Sequence, residues 1–306
     1  MIVNQIKLAA DRREELQRVS PGFPVSIYQT DFSRPEYRRV NWHWHQDFQL
    51  CRVIRGSVLF HVAGQTCRVP AGKGIFINGR LAHAAEPEED GSIYDCVNFS
   101  PELICTPGGS PAVVCLLTPF LKNGVAPFFR FDGGLPGGAS ILDAMRRIIR
   151  LSEVRKPEGW ELLVQSELLH IWPSVWALAQ GSGGAISDQS DQRLKRVLTY
   201  LNEHYSEKLT LKDVAREAFL CPEECERFFK RMTGVTVFQY LMGYRVEKGR
   251  ELLVRTELPI AAVAQRCGFS TQSYFTVCFQ KQTGFTPNQY RKEERTRNAA
   301  VLRRKR

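Results

Sequence analysis

The sequence predicts a multidomain protein with a β-rich N-terminal half and an all-α C-terminal half. Short apolar runs separated by turn residues occupy the region from residue 23 to about residue 103, and two helical segments near the C-terminus repeat one another. Formal charge divides the chain in the same way. Residues 191–306 contain 23 Lys and Arg against 13 Asp and Glu, whereas residues 1–190 contain 19 of each. At 306 residues, we expect two domains or slightly more.

The N-terminal half contains apolar runs that have the length of β-strands and are bounded by glycine, proline and asparagine turns. These runs are residues 24–30, 48–55, 58–63, 66–69, 74–78 and 93–98. Short strands at close, regular spacing are typical of a sandwich or a barrel. We therefore predict one β domain over residues 1–105.

Residues 106–180 are predicted to form a helical extension. A short helix is expected at Pro111–Leu121, Ser140 is placed to cap an amphipathic helix, and an unusually apolar helix runs from about residue 157 to residue 180. The glycine- and serine-rich residues 181–190 have the composition of a flexible linker. Because the linker also separates the neutral half from the basic half, we place the start of a C-terminal domain, residues 191–306, directly after it.

The C-terminal domain contains one unit twice. Leu209–Tyr240 and Leu258–Tyr290 align with an offset of 49 residues at first and 50 later, so the second copy contains one extra residue. Each copy is predicted to form a helix, a turn and a second helix, at about residues 209–234 and 258–284. A long helix over residues 236–253 would join them. Cys221 and Pro222 are expected to begin the second helix of the first copy, and Ser270 to cap its equivalent.

The second helix of each copy is predicted to bury one face and expose the other. The outward residues are Glu223, Glu226, Arg227 and Lys230 in the first copy, and Ser273, Thr276, Val277 and Gln280 in the second, with Gln272 in its first turn. In a helix-turn-helix unit the second helix enters the DNA major groove. Apart from Val277, these residues are our candidate DNA contacts, where Arg227 can read guanine, Gln272 adenine and a glutamate cytosine. The basic excess favours the same function, because Lys and Arg neutralise phosphates.

The second copy, GFSTQSYFTVCFQKQTGFTPNQYR, is similar to the signature of AraC/XylS-type bacterial transcription regulators, and the resemblance covers about residues 191–295. It implies two helix-turn-helix units rigidly joined by a long helix, double-stranded promoter DNA as the partner, and RNA polymerase as a further partner in an activator. Activation is the commoner outcome, and repression stays open. The resemblance also implies that the helices of residues 106–180 pair across a homodimer, with packing on their own barrel as the alternative. Arg245 is expected to form a structural ion pair.

In the β domain, His43-Trp44-His45, then Gln49, then His83, resemble the metal-binding set of the cupin jelly roll, which many AraC-type regulators contain as a sensor. Metal cupins have glutamate where this chain has Gln49, and a neutral amide is a poor ligand. We therefore expect no metal, no cofactor and no catalytic residue. The candidates for binding a small organic effector are His43, Trp44, His45, Arg52 and His83, with a sugar stacked on Trp44 as one possibility. A purely structural role for His43 and His45 is the alternative, since strand register decides which side chains face inward.

Two rival classes stay open at this stage. A cupin enzyme fused to a DNA-binding domain would need a metal, which Gln49 argues against, and an architectural DNA-binding protein would need no effector. The sequence shows no signal peptide and no apolar run long enough for a membrane span. Its nine cysteines include no CxxC pair and are expected to be reduced. These features predict a cytoplasmic protein without a membrane partner, and the resemblance implies that it is a bacterial regulator.

Overall fold

The computed structural model describes residues 2–3, 9, 13–34, 38–105, 109–153, 156–182 and 188–304. Contacts within the chain define two compact units, Met1–Lys195 and Arg196–Arg306. All nine cysteines lie in the described ranges, and none of them forms a disulfide. None of the described helices combines the length and the apolar composition that a membrane span requires.

The first unit is built around two β-sheets. Its strands are β1 (Ile2–Val3), β2 (Val25–Asp31), β3 (Val40–His43), β4 (Phe48–Arg55), β5 (Ser57–Val62), β6 (Gln65–Pro70), β7 (Gly74–Ile77), β8 (His83–Pro87), β9 (Ile93–Phe99) and β10 (Phe128–Phe131). Among the described residues, one sheet has the order β1-β2-β9-β4-β7-β10 and the other the order β3-β8-β5-β6. Neighbours are antiparallel, apart from β1 beside β2. The sequence missed the two-residue β1, β3, β8 and the four-residue β10.

The larger sheet is buried on both faces. Successive side chains of a strand point in opposite directions, so Cys51 and Val53 of β4 face the smaller sheet, whereas Phe48 and Leu50 face a layer of helices. This explains why buried residues follow one another along most of β4 instead of alternating with exposed ones.

The helical layer consists of a 3-10 turn (Pro101–Leu103), α1 (Pro111–Leu121), α2 (Gly138–Glu153) and α3 (Trp160–Gly181). Aromatic rings join the layer to the sheet, since Trp172 stacks on Phe48 at 5.2 Å and contacts Phe120 at 4.8 Å between centroids. The expectation that Ser140 caps α2 is wrong, because the helix already begins at Gly138. A Cβ at Gly138 would lie 2.0 Å from the carbonyl oxygen of Asp132, so only glycine fits at the first position of the helix without a shift of the backbone.

The predicted linker is shorter than residues 181–190. Gly181 belongs to α3, and α4 (Asp188–Glu203) begins before residue 190, while residues 183–187 lie outside the described residues. An aspartate in the first turn favours helix because it complements the positive end of the helix dipole. Asp191 of α4 also accepts the Ala82 N–H at 2.9 Å within the first unit. The two compact units divide within α4, and the domain boundary drawn from the sequence stays a prediction.

The second unit contains the end of α4 and then α5 (Leu211–Glu217), α6 (Pro222–Thr233), α7 (Val237–Arg255), α8 (Ile260–Arg266), α9 (Gln272–Thr283) and α10 (Pro287–Arg304). The long helix α7 packs against α8, α9 and α10. Its residues Val246 and Leu253 share a buried cluster with Val263, Phe275 and Phe279. The predicted fold class, a cupin-like β domain followed by helices and by an all-α domain with two helix-turn-helix units, is confirmed.

Two local expectations in this unit are wrong. Thr271, and not Ser270, caps α9, since its hydroxyl accepts the Tyr274 N–H at 3.2 Å. Arg245 is structural but forms no ion pair among the described residues. Its guanidinium instead donates to the carbonyl oxygens of Tyr205 at 2.6 Å and Glu207 at 2.7 Å. These carbonyls belong to the turn that follows α4, so Arg245 joins that turn to α7.

Candidate nucleic-acid interface and ligand pocket

The helix α6 buries an apolar stripe and exposes a charged face. Cys225, Phe228, Phe229 and Met232 are buried against the unit. The exposed residues are Glu223, Glu224, Arg227, Lys230 and Arg231. A helix with one buried stripe presents the opposite face as a continuous surface, and here that surface is charged.

Glu226 differs from the other residues predicted to face outward on α6. It is half-buried, and its Oε2 accepts the N–H of Val237 at 3.4 Å. Val237 is the first residue of α7, where backbone N–H groups lack partners within the helix. In this structure Glu226 therefore joins α6 to the start of the connecting helix.

The helix α9 has the same arrangement with a different surface chemistry. Phe275 and Phe279 are buried, and the exposed residues are Gln272, Ser273, Tyr274, Val277, Gln280, Lys281 and Gln282. Thr276 is half-buried, like its equivalent Glu226. The exposed face of α9 is thus mostly neutral and able to hydrogen bond, and Lys281 is its charged residue.

A pocket of about 600 Å³ opens in the first unit between the N-terminal segment, one end of the β-sandwich and α1. A volume of this size is typical of small-molecule sites. The α1 side is apolar, with Val114, Leu117 and Leu121, and the opposite side is polar. The polar and charged lining residues are Arg13, Glu14, Arg18, His45, Gln46, Asp47, Arg80, Ser100, Glu102 and Thr118.

Three buried histidines meet beside this pocket. His43 and His83 are register partners on β3 and β8, with ring centroids 4.2 Å apart, and His45 lies 5.0 Å from His83. Each ring offers one nitrogen, and these nitrogens lie within 4.8 Å of one another. The cavity that His43 and His83 share with Glu14, Gln49 and other residues has a volume of only about 10 Å³. This cluster therefore has room for an ion or a water molecule and not for an organic effector.

The electrostatics of the cluster favour neutral groups. Burial, together with the neighbouring His83, lowers the pKa of His45 to about 3, and burial lowers the pKa of His83 to about 4. Burial and the nearby Asp47 carboxylate raise the pKa of Glu14 to about 8. Desolvation disfavours the charged form in all three cases.

Comparison with known proteins places these sites in a family. Residues 214–293 match the model of a helix-turn-helix domain, and residues 26–106 match the model of an AraC-like ligand binding domain. The uncharacterized HTH-type transcriptional regulator YdeC of Bacillus subtilis is 31% identical over 276 residues, which are 88% of this chain and 92% of YdeC. This chain belongs to the AraC-type HTH transcriptional regulators. It is a DNA-binding regulator with a ligand-binding domain, and the resemblance drawn from its sequence is confirmed.

Other members and structures are similar to this AraC-type regulator. The HTH-type transcriptional activator RhaS of Klebsiella pneumoniae is 24% identical over 275 residues, which are 89% of this chain and 91% of RhaS. The solved C-terminal domain of AraT, a response regulator from Geobacillus stearothermophilus, is 39% identical. It covers 33% of this chain and 84% of that domain, with a TM-score of 0.32.

The structure separates the five residues proposed for effector binding. His45 lines the 600 Å³ pocket, whereas His43 and His83 line the small cavity. Trp44 lines a different pocket, of about 240 Å³, and the Lys195 ammonium lies 4.7 Å from the centroid of its ring. Arg52 lines none of these three cavities and pairs with Asp95 at 2.9 Å.

Sequence reasoning missed several residues at these sites. Arg231 and Lys281 follow Lys230 and Gln280 directly, and the helical period alone places them at the edge of the same exposed faces. Tyr274 in the first turn of α9 is 50% exposed. No sequence pattern indicated Glu14, because its position beside His43 depends on a contact between distant parts of the chain.

Proposed function

We propose that this protein activates transcription from a promoter that carries one bipartite site, read by α6 and α9. The observation that carries the proposal is that two copies of one scaffold, in the basic half of the chain, each expose a face of DNA-compatible side chains. An activator of this kind contacts RNA polymerase and works in the bacterial cytoplasm, where promoter DNA lies.

The proposed contacts follow from exposure and chemistry. Arg227 would read guanine, Gln272 adenine, and Glu223 the amino group of cytosine. Lys230, Arg231 and Lys281 would bind phosphates, which fix the register of a protein on DNA without reading sequence. Ser273 and Gln280 would donate to or accept from base edges. We assign Glu226 and Thr276 to positioning the reading helices, because both are half-buried.

The effector we propose is a small amphipathic organic molecule in the 600 Å³ pocket. Its apolar part would lie against Val114, Leu117 and Leu121 of α1, and its polar or anionic group would face Arg80. A sugar stacked on Trp44 is not what we propose, since Trp44 lines another pocket and its ring contacts Lys195.

Effector binding can be tested by thermal shift of the full-length protein with a library of small organic acids, and with sugars as the comparison class. A ligand at 100 times its Kd adds about 2.7 kcal/mol of stability. Val114→Trp, which narrows the pocket, should abolish the shift given by a hit. The matched control is Leu135→Trp, since Leu135 is similarly exposed but does not line the pocket. Equal responses of the two variants would contradict the assignment of this pocket.

We propose a homodimer formed through α3. Leu162, Leu163 and Leu169 of this helix are exposed, and Leu162 is the most exposed of them at 71%. Exposed apolar surface of this kind is typical of protein–protein contacts. Sedimentation of the wild type and of Leu162→Glu should show a dimer and a monomer, respectively; a monomeric wild type would contradict this proposal.

The DNA-binding proposal is tested by selecting bound sequences from random duplex DNA with the full-length protein. One site should emerge, with two halves about 10 base pairs apart, one helical turn, so that both reading helices lie on one face of the duplex. Arg227→Ala and Gln272→Ala should relax different halves, and each lost base contact should cost about 1–3 kcal/mol. Enrichment of no site, or unchanged specificity in both variants, would contradict the proposal.

A further inference from the structure

The hydrogen bonds of the three buried histidines fix which nitrogen of each ring faces the others. His43 Nδ1 lies 2.8 Å from the carbonyl oxygen of Asn41, His45 Nδ1 lies 2.9 Å from that of Asp47, and His83 Nδ1 lies 2.8 Å from that of Leu81. A carbonyl oxygen only accepts, so each Nδ1 carries the proton and donates it. In a neutral ring the Nε2 atom then holds a lone pair. Backbone carbonyls orient metal-binding imidazoles in the same manner.

The atoms that converge on this cluster are acceptors. His45 Nε2, His83 Nε2 and Gln49 Oε1 are buried and complete no hydrogen bond of normal geometry among the described residues. The Gln49 amide is oriented by its Nε2, which donates to the sulfur atoms of Cys96 at 3.1 Å and Cys51 at 3.4 Å. Acceptors cannot satisfy one another, and burying a polar atom without a partner costs about 1–3 kcal/mol. A cation is a single species that would satisfy all of them.

Glu14 brings a carboxyl group to the same place from a distant part of the sequence. Its Oε2 lies 3.6 Å from His43 Nε2, and its side chain is almost completely buried. The segment around it is held on the barrel, because Glu14 N donates to the Trp44 carbonyl at 2.8 Å and Gln17 N to the Tyr28 hydroxyl at 2.7 Å. A buried carboxyl group is costly unless it is neutral, paired or bound to a metal.

We propose that His43, His45 and His83 bind one divalent transition-metal ion through their Nε2 atoms, and that Glu14 of the N-terminal segment supplies a carboxylate ligand. Three imidazoles and one carboxylate form a donor set that suits Zn²⁺ and its neighbours in the first transition row. This set differs from the cupin set, whose acidic ligand stands at the position of Gln49. The expectation of no metal considered Gln49 alone, because nothing in the sequence connects residue 14 with the histidines.

The small cavity that His43, His83 and Glu14 line has room for one ion. The volume of about 10 Å³ is close to that of a single water-sized sphere. Zn–N bonds of 2.0–2.1 Å place neighbouring ligand atoms about 3.3 Å apart. The ring nitrogens, which lie within 4.8 Å of one another, would therefore move together by up to roughly 1.5 Å on binding.

The ion would fasten the N-terminal segment to the barrel. Arg13, Glu14, Leu16 and Arg18 of this segment form one wall of the 600 Å³ pocket, and Glu14 also lines the small cavity. Binding of the ion by Glu14 would hold that wall in place. The site itself stands independently of the proposed effector, because it is defined by the histidines and the carboxyl group.

The test uses the full-length protein, freed of metal by a chelator and titrated with Co²⁺ and with Zn²⁺. We expect one equivalent per chain, visible ligand-field absorption with Co²⁺, and displacement of Co²⁺ by Zn²⁺. His83→Gln should abolish binding, and Glu14→Gln should weaken it at least about 10-fold. The control is His61→Gln, since His61 lies on β5 of the same sheet but bonds to Thr66 and Glu86, and its affinity should equal that of the wild type. Absence of binding to the wild type, or equal losses in His61→Gln and His83→Gln, would overturn the site.

Two further measurements keep the test decisive if a histidine variant fails to fold. Gln49→Glu adds a carboxylate to the cavity without removing a ligand and should tighten Co²⁺ binding; weaker binding would overturn the location. Hydrogen exchange at the amides of Glu14 and Gln17 should slow when Zn²⁺ is added to the wild type but not when it is added to Glu14→Gln. Unchanged metal affinity in Glu14→Gln, or exchange that slows equally in both proteins, would overturn the role of Glu14.

Discussion

The two helix-turn-helix units of this regulator share one scaffold down to single hydrogen bonds. Thr233 and Thr283 donate to equivalent carbonyl oxygens, those of Phe229 and Phe279, both at 2.8 Å. Thr236 and Thr286 each donate a backbone N–H to a glutamine three residues later, at 2.9 Å in both copies. Gly234 and Gly284 both end their helix with φ +79°. The buried and capping positions have therefore stayed alike in the two copies.

The turns between the two helices of each unit differ. Two residues after the end of α5 and of α8 the chain has a residue with positive φ, which is Phe219 at +53° in the first unit and Gly268 at +78° in the second. The extra residue of the second unit is Ser270, which lengthens the turn before Thr271 caps α9. In the first unit Cys221 precedes α6 directly, and its backbone N–H reaches Glu224 Oε2 at 3.5 Å.

The exposed faces differ most. Arg227 and Lys230 of α6 correspond to Val277 and Gln280 of α9. Side chains that face solvent are not constrained by packing, so the two copies can diverge there without loss of the fold. The comparison teaches that the scaffold is set by burial and capping, while the exposed face of each second helix has its own chemistry, ionic in α6 and mostly neutral in α9.

The two units of the chain can be followed separately in one unfolding experiment. All five tryptophans, Trp42, Trp44, Trp160, Trp172 and Trp176, lie in the first compact unit. Tryptophan fluorescence therefore reports on the β domain and its helices, whereas far-UV circular dichroism also reports on the helix-turn-helix unit. A change confined to the second unit should shift the dichroism and leave the fluorescence transition in place.

The largest loss of stability is expected from a substitution in the turn of the second unit, where the two turns differ. A Cβ at Gly268 would lie 2.7 Å from the Tyr205 carbonyl oxygen and 2.8 Å from that of Ser206. Left-handed geometry and overpacking together should make Gly268→Ala about 3 kcal/mol less stable. The matched control is Phe219→Ala. Because Phe219 is 76% exposed, this substitution should change the free energy of unfolding by about 0.5 kcal/mol or less. Equal losses in the two variants, measured by urea unfolding, would show that the turns are not under different constraints.

A smaller loss is expected where α7 meets α9. A Cβ at Gly249 would lie 2.7 Å from Cε2 and 2.9 Å from Cζ of the buried Phe275 ring. In Gly249→Ala, the higher helix propensity of alanine should stabilise the protein by about 1 kcal/mol. The overlap with the buried ring should cost more, so the free energy of unfolding should fall by about 1–2 kcal/mol in total. Gly243→Ala on the same helix has open space, with Gln282 Nε2 as its neighbour at 3.5 Å, and should gain stability in urea. A gain in both variants would mean that α7 does not need the close approach.

The smallest effect is a gain in the first turn. Phe219→Gly removes the strain of a bulky residue at φ +53°, about 1–2 kcal/mol. It loses a contact in which the Arg196 guanidinium lies 5.2 Å from the ring centroid, and glycine adds entropy to the unfolded chain. The net gain should be about 0.5 kcal/mol, visible as a rise of the dichroism midpoint in urea. A lower midpoint would indicate that the exposed ring stabilises the turn.

The features that sequence reasoning predicted well are local. Helix periodicity gave the buried stripe of α6, glycines marked the helix ends, and the repeat gave the equivalence of the two units. Ser270 was misassigned as the cap because the position of the extra residue within the turn is not readable from an alignment of the two copies. The strand β10 was missed because four residues between glycine-rich loops carry little pattern of their own, and their pairing with β7 is a long-range contact.

The histidine cluster and the pocket beside it were also hard to predict, because they depend on contacts between distant parts of the chain. His43 and His45 are two residues apart and His83 follows in the sequence, so the motif was visible, but Glu14 reaches them only through folding. The sequence grouped Trp44 and Arg52 with the histidines because they are near in the chain. In the structure Trp44 lines a different pocket, and Asp95 pairs with Arg52.

The measurement that tests the central comparison most directly is the dependence of DNA affinity on salt at the equivalent positions Lys230 and Gln280. On the protein's own selected site, Lys230→Gln should lower the magnitude of the slope of log K against log salt by about 1, because one phosphate contact is lost. Gln280→Ala should weaken binding and leave the slope unchanged. An unchanged slope in Lys230→Gln, or an equal decrease in Gln280→Ala, would contradict the account in which α6 binds DNA mainly through ionic contacts and α9 mainly through neutral ones.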